Sequence, residues 1–322
     1  MSGQVNVSHR SVMAREVLDY LSVRSRGIYV DGTVGSGGHA RAVLDRGGTG
    51  TFLLGLDRDR EALARSAAAL DGLNGKGVLR HGNFADIARH VRDEGLQAVD
   101  GVVFDLGVSS EQLDTPERGF SFMRDGPLDM RMDGASGATA ADLVNTLSEM
   151  ELAGLITKFG EEPRSGRVAR VLVAARQRHP IGSTLELAGL VEKALGPKRG
   201  RIHPATRTFQ ALRIAVNGEM DALRRGLDGA LHVLREGGRL VVISFHSIED
   251  RIVKQFMVAH AGRWVARQEG GSTWVGETPA IRILTRRPAV PSLAECAENP
   301  RARSAKLRAM ERLAVEDRQT GG

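Results

Sequence analysis

Acidic residues and glycines stand together where the first predicted strand ends. Asp31 follows the apolar stretch 28–30 and begins the segment DGTVGSGGHA at 31–40. Within it, residues 35–40 satisfy the spacing G-x-G-x-x-A, and glycine allows both positive φ and close approach of a ligand to the backbone. A turn from strand to helix also points free backbone N–H groups at that ligand. The segment therefore predicts a site for a nucleotide-like cofactor, with a plain glycine turn as the alternative.

Two cofactors fit such a turn, NAD and S-adenosylmethionine (SAM), and the acids distinguish between them. Asp57 ends the second predicted strand, where a carboxylate accepts hydrogen bonds from the ribose hydroxyls of either cofactor. Asp31 before the turn and Asp105 at the end of the fourth predicted strand would repel a pyrophosphate. Both acids suit SAM, which has no phosphate and carries a cationic amino group and a sulfonium. The residues therefore favour SAM over NAD.

Two of the residues near the turn have a structural alternative. Asp57 can also cap the helix that follows it, and the two roles are compatible. Phe84, in the segment GNFAD after the third predicted strand, can stack on the purine ring of the cofactor or pack in the core. The sequence leaves both choices open.

The pattern of strands and helices predicts how these residues are positioned. Strands and helices alternate in the first third of the chain, which is typical of a parallel sheet with right-handed crossovers. Ligands of such sheets bind at the carboxyl edge of the strands. The predicted strands lie at 28–30, 51–57, 77–82 and 99–107, and the predicted helices between them at 60–70 and 84–95.

The predicted elements change in the middle of the chain. From 113 to 205 strand patterns are hard to find, and we predict an all-helical inserted domain there. The strand RLVVISF at 239–245 resumes the sheet, so residues 1–112 and 206–322 are expected to form one discontinuous domain. Two of the inserted helices begin with the spacing of a capping box, Ser148 with Glu151 and Ser183 with Glu186. The helices are predicted at 148–160, 165–179, 183–196, 206–223, 226–235 and 247–258, and a late strand at 281–287.

The composition of the 322 residues excludes several classes of protein. Cys296 is the only cysteine, which excludes disulfides within the chain and argues against a thiolate zinc site, so no metal is expected. No early segment resembles a signal peptide, and no apolar run reaches about 18 residues. We therefore expect a cytoplasmic protein without a membrane span.

The formal net charge of +6 fits either an arginine-rich solvated surface or a polyanionic partner such as RNA. The location of the charge favours RNA, because the segment NPRARSAKLRAMERL at 299–313 carries five basic residues against a single acid, Glu311. These basic residues are Arg301, Arg303, Lys306, Arg308 and Arg312.

Longer motifs spread over most of the chain point to one family. They are DGTVGSGGH at 31–39, FDLGVSSEQLD at 104–114, RGFSFMRDGPLDMRMD at 118–133, HPATRTFQALRIAVN at 203–217, SFHSIEDRIVK at 244–254 and NPRARSAKLR at 299–308. On these motifs the chain resembles the RsmH (MraW) family of ribosomal RNA small subunit methyltransferases, which are SAM-dependent and act on cytosine N4. The resemblance extends from about residue 7 to residue 308.

The resemblance implies a fold and a cofactor site. The fold would be that of class I SAM-dependent methyltransferases, a Rossmann-like, mainly parallel seven-stranded sheet, with an inserted helical domain that recognises the substrate. By motif position the SAM-binding residues would be Gly37, Gly38, His39, Asp57, Phe84, Asp105 and Gln112. For His39 and Gln112 this role rests on the resemblance alone, since their positions would otherwise indicate a helix start and a surface residue.

The resemblance also implies the reaction and the partner. The family transfers a methyl group from SAM to the exocyclic N4 of a cytidine in the decoding (P-site) region of 16S rRNA, in the small ribosomal subunit. Arginines and lysines in the matching motifs are candidates for contact with RNA. These are Arg131, Arg207, Arg213, Arg301, Arg303 and Lys306, although a solvated or ion-paired face is an equal alternative for an arginine on a helix.

The residue that accepts the N4 proton is not assigned by the sequence. Many amino-methyltransferases use an Asp/Asn-Pro-Pro-aromatic loop after the fourth strand, but here that segment is DLGVSS at 105–110, without a proline pair. A hydrogen-bond acceptor near N4 is still needed, because the lone pair of that nitrogen is delocalised into the ring. Position alone gives the candidates Ser109, Ser110, Ser244, His246, Asp129 and Arg131. For His246, capping of the helix that begins at Ser247 is a strong alternative.

Two other functions are considered beside methyl transfer. An NAD-linked oxidoreductase would share the glycine turn, and SAM-versus-NAD titration separates it. An RNA-binding assembly factor would keep the fold without turnover, and Asp57→Ala should leave its function intact. The sequence does not decide between a monomer and a homodimer.

Overall fold

The computed structural model describes residues 11–197, 203–266, 272–275 and 280–314; residues 7–10, where the family resemblance begins, lie outside this set. The chain divides into two compact units. We call Met1–Gly107 with Asp221–Gly322 the α/β unit, and Val108–Met220 the helical unit. Among the described residues, no helix has both the length and the apolar character needed to cross a bilayer.

The α/β unit contains a seven-stranded sheet and a separate two-stranded one. The strands are β1 Ile28–Asp31, β2 Phe52–Asp57, β3 Lys76–His81, β4 Val99–Asp105, β5 Leu234–Ser244, β6 Arg263–Ala266, β7 Ser272–Val275, β8 Ile281–Ile283 and β9 Lys306–Arg312. The large sheet has the order β3-β2-β1-β4-β5-β9-β8, and β6 pairs with β7. Strands β1 to β5 are parallel to one another, whereas β9 is antiparallel to both β5 and β8.

The helices of the α/β unit flank these strands. They are α1 Ala14–Leu21, α2 Gly38–Gly47, α3 Arg60–Leu70, α4 Ile87–Asp93, α11 Glu219–Val233, α12 Ser247–Ala261 and α13 Leu293–Glu298. The helices of the helical unit are α5 Ser110–Asp114, α6 Ala140–Thr146, α7 Glu149–Gly160, α8 Ser165–Arg176, α9 Thr184–Leu195 and α10 Thr206–Asn217. The strand β4 is buried along all but its last residue, as expected for an apolar strand covered on both faces. The predicted parallel sheet with helical crossovers is therefore confirmed.

The helical unit is organised by the capping signals that the sequence contains. Ser148 and Glu151 form a capping box, in which Ser148 Oγ accepts from the Glu151 N–H at 3.3 Å and Glu151 Oε2 accepts from the Ser148 N–H at 2.8 Å. At α9 only half of the box forms. Ser183 Oγ accepts from the Glu186 N–H at 3.3 Å, but Glu186 Oε2 accepts from the Gly182 N–H at 3.2 Å.

The helical unit is longer than the 113–205 segment that the sequence indicates. Its C-terminal helix, α10, contributes Phe209 and Leu212 to the buried core of the helical unit, so α10 belongs there by packing. The helix predicted at 206–223 is wrong in its end point. It stops at Asn217, because Gly218 takes a left-handed conformation with φ of 59° and donates its N–H to the Ala215 carbonyl.

One strand was missed in the segment interpreted only as basic. Residues 306–312 form β9, which lies between β5 and β8. Its buried residues Leu307, Ala309 and Met310 stand among charged ones, so the apolar pattern is obscured in the sequence. The strand predicted at 281–287 is also shorter than expected and covers Ile281–Ile283.

Candidate cofactor and active site

The glycine turn connects β1 to α2 and leaves little room for side chains. Gly37 precedes the helix with φ of 87°, a conformation that favours glycine. At Gly38, a Cβ atom would come 1.9 Å from Ser11 Oγ. The turn is tied to the sheet, because the Val34 N–H donates to the Leu56 carbonyl at 2.9 Å. The backbone at 37–38 is therefore closely packed on one side, and its neighbours leave no space there for any side chain larger than that of glycine.

Asp57 fixes the turn through its carboxylate. Its Oδ2 accepts from the Gly35 N–H at 2.8 Å, and its Oδ1 accepts from the Asp59 N–H at 2.9 Å. The helix α3 is capped by Asp59, whose Oδ1 accepts from the Glu61 N–H at 3.0 Å, so the capping alternative considered for Asp57 is wrong. Burial raises the pKa of Asp57, although hydrogen bonds from Asp59 and Gly35 act in the opposite direction. The two carboxylate oxygens together offer about four lone-pair sites, which is more than the backbone hydrogen bonds from Gly35, Arg58 and Asp59 use, so a ribose hydroxyl can also be bound.

Three ionisable side chains form what we call the acidic cluster: Asp31, His39 and Asp105. Asp31 is 1% exposed, and burial raises the pKa of its carboxyl to about 7. His39 Nε2 lies 3.4 Å from Asp105 Oδ2. Burial by itself lowers the pKa of His39, but the Asp105 and Asp31 carboxylates outweigh it and hold that pKa above its usual value.

The acidic cluster has unused hydrogen-bonding capacity. Asp105 Oδ1 and His39 Nδ1 are buried, and neither has a hydrogen-bond partner among the residues that the structure describes. The backbone of Asp105 is held in place, because its N–H donates to Thr33 Oγ1 at 2.6 Å. A buried acceptor without a donor is costly unless a ligand supplies one. The cationic amino group of SAM supplies both a charge and donors, so the residues present fit SAM and would repel a pyrophosphate.

Phe84 packs against the core on at least one side. Its ring centroid lies 4.8 Å from that of Phe104, with the planes tilted by 41°. A Cβ atom at Gly226, in α11, would come 2.4 Å from the Phe84 ring. Because Phe84 is only partly buried, this packing is compatible with a purine stacked on the remaining surface.

Two catalytic candidates in the α/β unit make contacts within the fold. Ser244, 1% exposed, donates its hydroxyl to the Lys306 carbonyl at 3.3 Å, across the β5–β9 pair. His246 caps α12: its Nδ1 accepts from the Glu249 N–H at 3.4 Å, and its Nε2 lies 3.1 Å from Glu249 Oε1. The capping role that competed with catalysis for His246 is thus the one seen in the structure.

The remaining catalytic candidates belong to the helical unit. Asp129 is paired with Arg131, whose Nε and Nη2 donate to its two oxygens at 3.0 and 2.7 Å. Burial alone raises the pKa of Asp129, but the hydrogen bonds from Arg131 outweigh it and hold that pKa below its usual value. Ser109 caps α5 in a box with Gln112, whose Oε1 accepts from the Ser109 N–H at 3.0 Å. Gln112 is thus in a different unit from the other six predicted cofactor residues.

Three basic residues of the 299–313 segment make contacts within the fold. Arg308 Nε donates to Asp250 Oδ1 at 2.7 Å, and Lys306 Nζ lies 3.5 Å from Asp250 Oδ2. Arg312 donates to the carbonyls of Leu231 and His232, at 3.2 and 3.1 Å. These contacts account for three of the five basic residues that favoured an RNA partner.

The other candidates differ in their exposure and pairing. In the helical unit, Arg207 lies 3.5 Å from Glu162, and Arg213 makes two hydrogen bonds to Glu219 at 2.8 and 2.9 Å. Arg301 and Arg303 are exposed. Their exposure makes Arg301 and Arg303 the basic residues of 299–313 that are most accessible to a polyanion.

Two residues that organise the site, Thr33 and Glu249, give little signal in the sequence. Thr33 lies inside the glycine turn and holds the Asp105 backbone, but a threonine there gives no signal by its type. Glu249 is 1% exposed and its Oε2 accepts from the Phe245 and His246 N–H groups at 2.8 and 3.2 Å. The spacing of three between 246 and 249 is that of a capping box, but Glu249 itself gives no sign of this role because histidine is not a usual first member of such a box.

The chain is similar to known proteins over nearly its whole length. A family model described as the MraW methylase family matches residues 6–313. The Ribosomal RNA small subunit methyltransferase H of Thermomicrobium roseum is 48% identical over 314 residues, covering 98% of this chain and 96% of that protein. The protein of the same name from Geobacter sulfurreducens is 53% identical over 310 residues, covering 95% of this chain and 99% of that protein.

The similarity to solved structures is weaker than the similarity to these relatives, so the strand order identifies the fold. A SAM-dependent O-methyltransferase from Thermotoga maritima matches 96% of this chain and 69% of its own, with a TM-score of 0.40 and 8% identity. The order β3-β2-β1-β4-β5-β9-β8, with β9 antiparallel, is that of class I methyltransferases. The cofactor is SAM. The chain belongs to the MraW methylase family, with the class I SAM-dependent methyltransferase fold.

Proposed function

We propose that the protein transfers a methyl group from SAM to the exocyclic N4 of a cytidine in the decoding (P-site) region of 16S rRNA. The substrate would be the small ribosomal subunit in the cytoplasm. Relatives of 48% and 53% identity that are named small subunit rRNA methyltransferases support the class of substrate. The observation that carries the reaction is the buried Asp105 Oδ1, which lacks a donor among the described residues and lies beside the glycine turn.

The contacts of the glycine turn and of the acidic cluster support a proposal for the cofactor site. We propose that Asp57 binds the ribose hydroxyls, that Phe84 stacks on the purine, and that Asp105 and Asp31 face the amino group. Gly37, Gly38 and His39 complete the part of the proposed site that lies in the α/β unit. When bound, SAM supplies a methyl group made electrophilic by its sulfonium. The acidic cluster contributes negative charge in a buried place, where it interacts strongly with a cation.

The acceptor side needs a base or hydrogen-bond acceptor near N4. In the transfer, a bond forms from N4 to the methyl carbon as the C–S bond breaks, and N4 then loses a proton. Ser244 and His246 are ranked lower as acceptors, because both side chains are used within the fold. Asp129 stays ionised beside Arg131 and is a good hydrogen-bond acceptor. The Ser109 Oγ, which accepts from the Gln112 N–H, keeps a second lone pair with which it can also accept. We propose Asp129 and Ser109 as the first residues to test, and the target base must leave its stack to react.

The proposed reaction is tested by identifying the methylated nucleoside. Purified protein and SAM with a tritiated methyl group are incubated with small subunits that lack the modification, and the rRNA is digested to nucleosides. We expect the label in N4-methylcytidine. Label in another nucleoside or in protein, or no transfer at all, would contradict the proposal.

A pair of variants links the product to the acidic cluster. Asp105→Asn removes one of the two carboxylates of the acidic cluster, and we expect transfer to fall at least 100-fold with weaker SAM binding. Asp71→Asn, at an exposed aspartate that ends α3, is the matched control and should behave as the wild type.

A further inference from the structure

The segment between β8 and β9 brings arginines to the edge of the sheet at which the cofactor residues lie. Strand β9 is antiparallel to β5, and its first residue, Lys306, pairs with Ser244, the last residue of β5. Ala289 pairs with Leu307, so the chain before it reaches the same edge. This is the carboxyl edge of the parallel strands, where β1, β2 and β4 end in aspartates.

Arg286, Arg287 and Arg303, which we call the arginine surface, are exposed and held in place by their neighbours. Ala302 is 0% exposed in the core of the α/β unit, and Arg301 and Arg303 on either side of it are exposed. Arg286 and Arg287 follow Thr285, whose Oγ1 accepts from the Ala309 N–H at 2.9 Å. Because the adjoining chain is anchored, little backbone entropy is lost when the three guanidinium groups meet a ligand.

The same segment contacts the chain beside the glycine turn. Glu295 Oε1 accepts from the Met13 N–H at 2.7 Å. Two residues before Met13, the Ser11 side chain packs on Gly38. The segment that carries the arginine surface is therefore connected by direct contacts to the cofactor end of the α/β unit.

The charge of the arginine surface is not neutralised within the described structure. No ion pair is recorded there for Arg286, Arg287 or Arg303, whereas Arg308 and Lys306 nearby are paired with Asp250. From 286 to 305 the sequence has four arginines and two glutamates, one of which, Glu295, is occupied by the Met13 backbone. Unpaired guanidinium groups bind phosphate through paired N–H donors.

We propose that Arg286, Arg287 and Arg303 bind backbone phosphates of the rRNA next to the target base. This inference rests on the proposed function, because it takes the substrate to be RNA. The contacts would be independent of base sequence and would position the RNA at the edge where the methyl donor binds. The arginine surface contributes to docking and takes no part in the chemical step.

The test compares two double variants of the full chain. Arg286→Gln/Arg287→Gln removes two charges from the arginine surface. Arg46→Gln/Arg92→Gln removes two exposed charges near the C-terminal ends of α2 and α4, which run away from the carboxyl edge. Binding to small subunits that lack the modification is measured over a range of KCl concentrations. SAM affinity and thermal unfolding are measured for each variant.

We expect the Arg286/Arg287 variant to bind subunits about tenfold more weakly at moderate salt, with a log–log salt slope smaller by roughly 1.5. Its SAM affinity and melting temperature should match the wild type, as should kcat at saturating subunit, and the control variant should bind normally. Arg303→Gln should reduce the slope by about a further 0.7.

Three outcomes would overturn the inference: no binding of the wild type to subunits, equal effects of both double variants, or weaker binding with an unchanged salt slope. The last would indicate contact with ribosomal protein. The proposed function is tested separately, by identifying the nucleoside that the wild-type protein methylates.

Discussion

The carboxylate of Asp57, at the end of β2, holds the backbone N–H of Gly35 in the glycine turn at 2.8 Å. One side chain thereby connects the second strand to the turn that follows the first. A second hydrogen bond, from the Asp59 N–H, fixes the direction of the carboxylate. Asp57 therefore shapes the turn before any cofactor binds, and its role in the fold and its proposed role in ribose binding should be lost together.

Asp57→Ala should weaken SAM binding about 100-fold or more and lower the free energy of unfolding by about 1–3 kcal/mol, because two N–H groups lose their acceptor. The matched control is Asp59→Ala, which removes the α3 cap and should cost about 1 kcal/mol with a much smaller effect on SAM. Isothermal titration and urea unfolding measure the two quantities. Equal losses of SAM affinity in both variants would argue against a direct role of Asp57.

Asp31→Asn should make the protein without cofactor more stable above neutral pH. The folded-state pKa of Asp31 is raised to about 7, against about 3.8 for the unfolded chain, so the folded state binds more protons between these values. Stability of the wild type therefore falls as pH rises from about 4 to about 7. Asparagine removes this dependence, and the variant should gain up to about 4 kcal/mol at pH 8 and little at pH 4.

Urea unfolding of both proteins at pH 4, 6 and 8 measures the effect of Asp31→Asn. The charges of His39, Asp105 and Asp57 also act on Asp31, so the variant and the wild type are compared at each pH. An unchanged pH dependence in the variant would show that Asp31 is ionised in the folded protein at low pH. SAM should bind the variant more weakly, because a negative charge facing its amino group is lost.

Gly38→Ala should destabilise the protein by about 1–3 kcal/mol and weaken SAM binding, since the new methyl group would collide with Ser11 Oγ. Ser11→Ala removes that oxygen, and the remaining Cβ would lie 3.3 Å from the new methyl group. The double variant should therefore recover most of the lost stability, as measured by thermal unfolding. No recovery would mean that the strain comes from elsewhere in the turn.

Asp129→Asn should lower the rate of methyl transfer about 100-fold in single turnover while leaving SAM affinity unchanged. The control is Asp142→Asn, another carboxylate of the helical unit, which accepts from Thr139 at a helix start and is exposed at its hydrogen-bonded oxygen. A similar rate for Asp129→Asn and the wild type would remove Asp129 as the acceptor and make Ser109→Ala the next test.

Much of the fold could be predicted because local signals agreed with the tertiary structure. The strands that end in Asp31, Asp57 and Asp105 are short apolar runs followed by acids, and all three form. The Ser148–Glu151 box begins α7 as its spacing indicates. For these strands and for this capping box, the local sequence favours the observed structure without contacts to residues far away in the chain.

The features that were missed depend on distant residues. Strand β9 contains Arg308 and Lys306, which look like a solvated basic patch until Asp250, in α12, pairs with both. The role of Ser244 depends on a carbonyl of β9, and that of Asp129 on its pairing with Arg131. Residue type alone does not distinguish a catalytic serine from one whose hydroxyl is hydrogen-bonded to a neighbouring strand, because only tertiary contacts differ between the two.

The strand order sets a requirement on the synthesis of the chain. Strand β4 ends at Asp105, but its neighbour β5 begins only at Leu234, and β5 gains its other neighbour when residues 306–312 are made. The helical unit is continuous in sequence and is translated in full during this interval. During synthesis, the apolar edge of β4 is therefore without its partner strand until β5 has been translated.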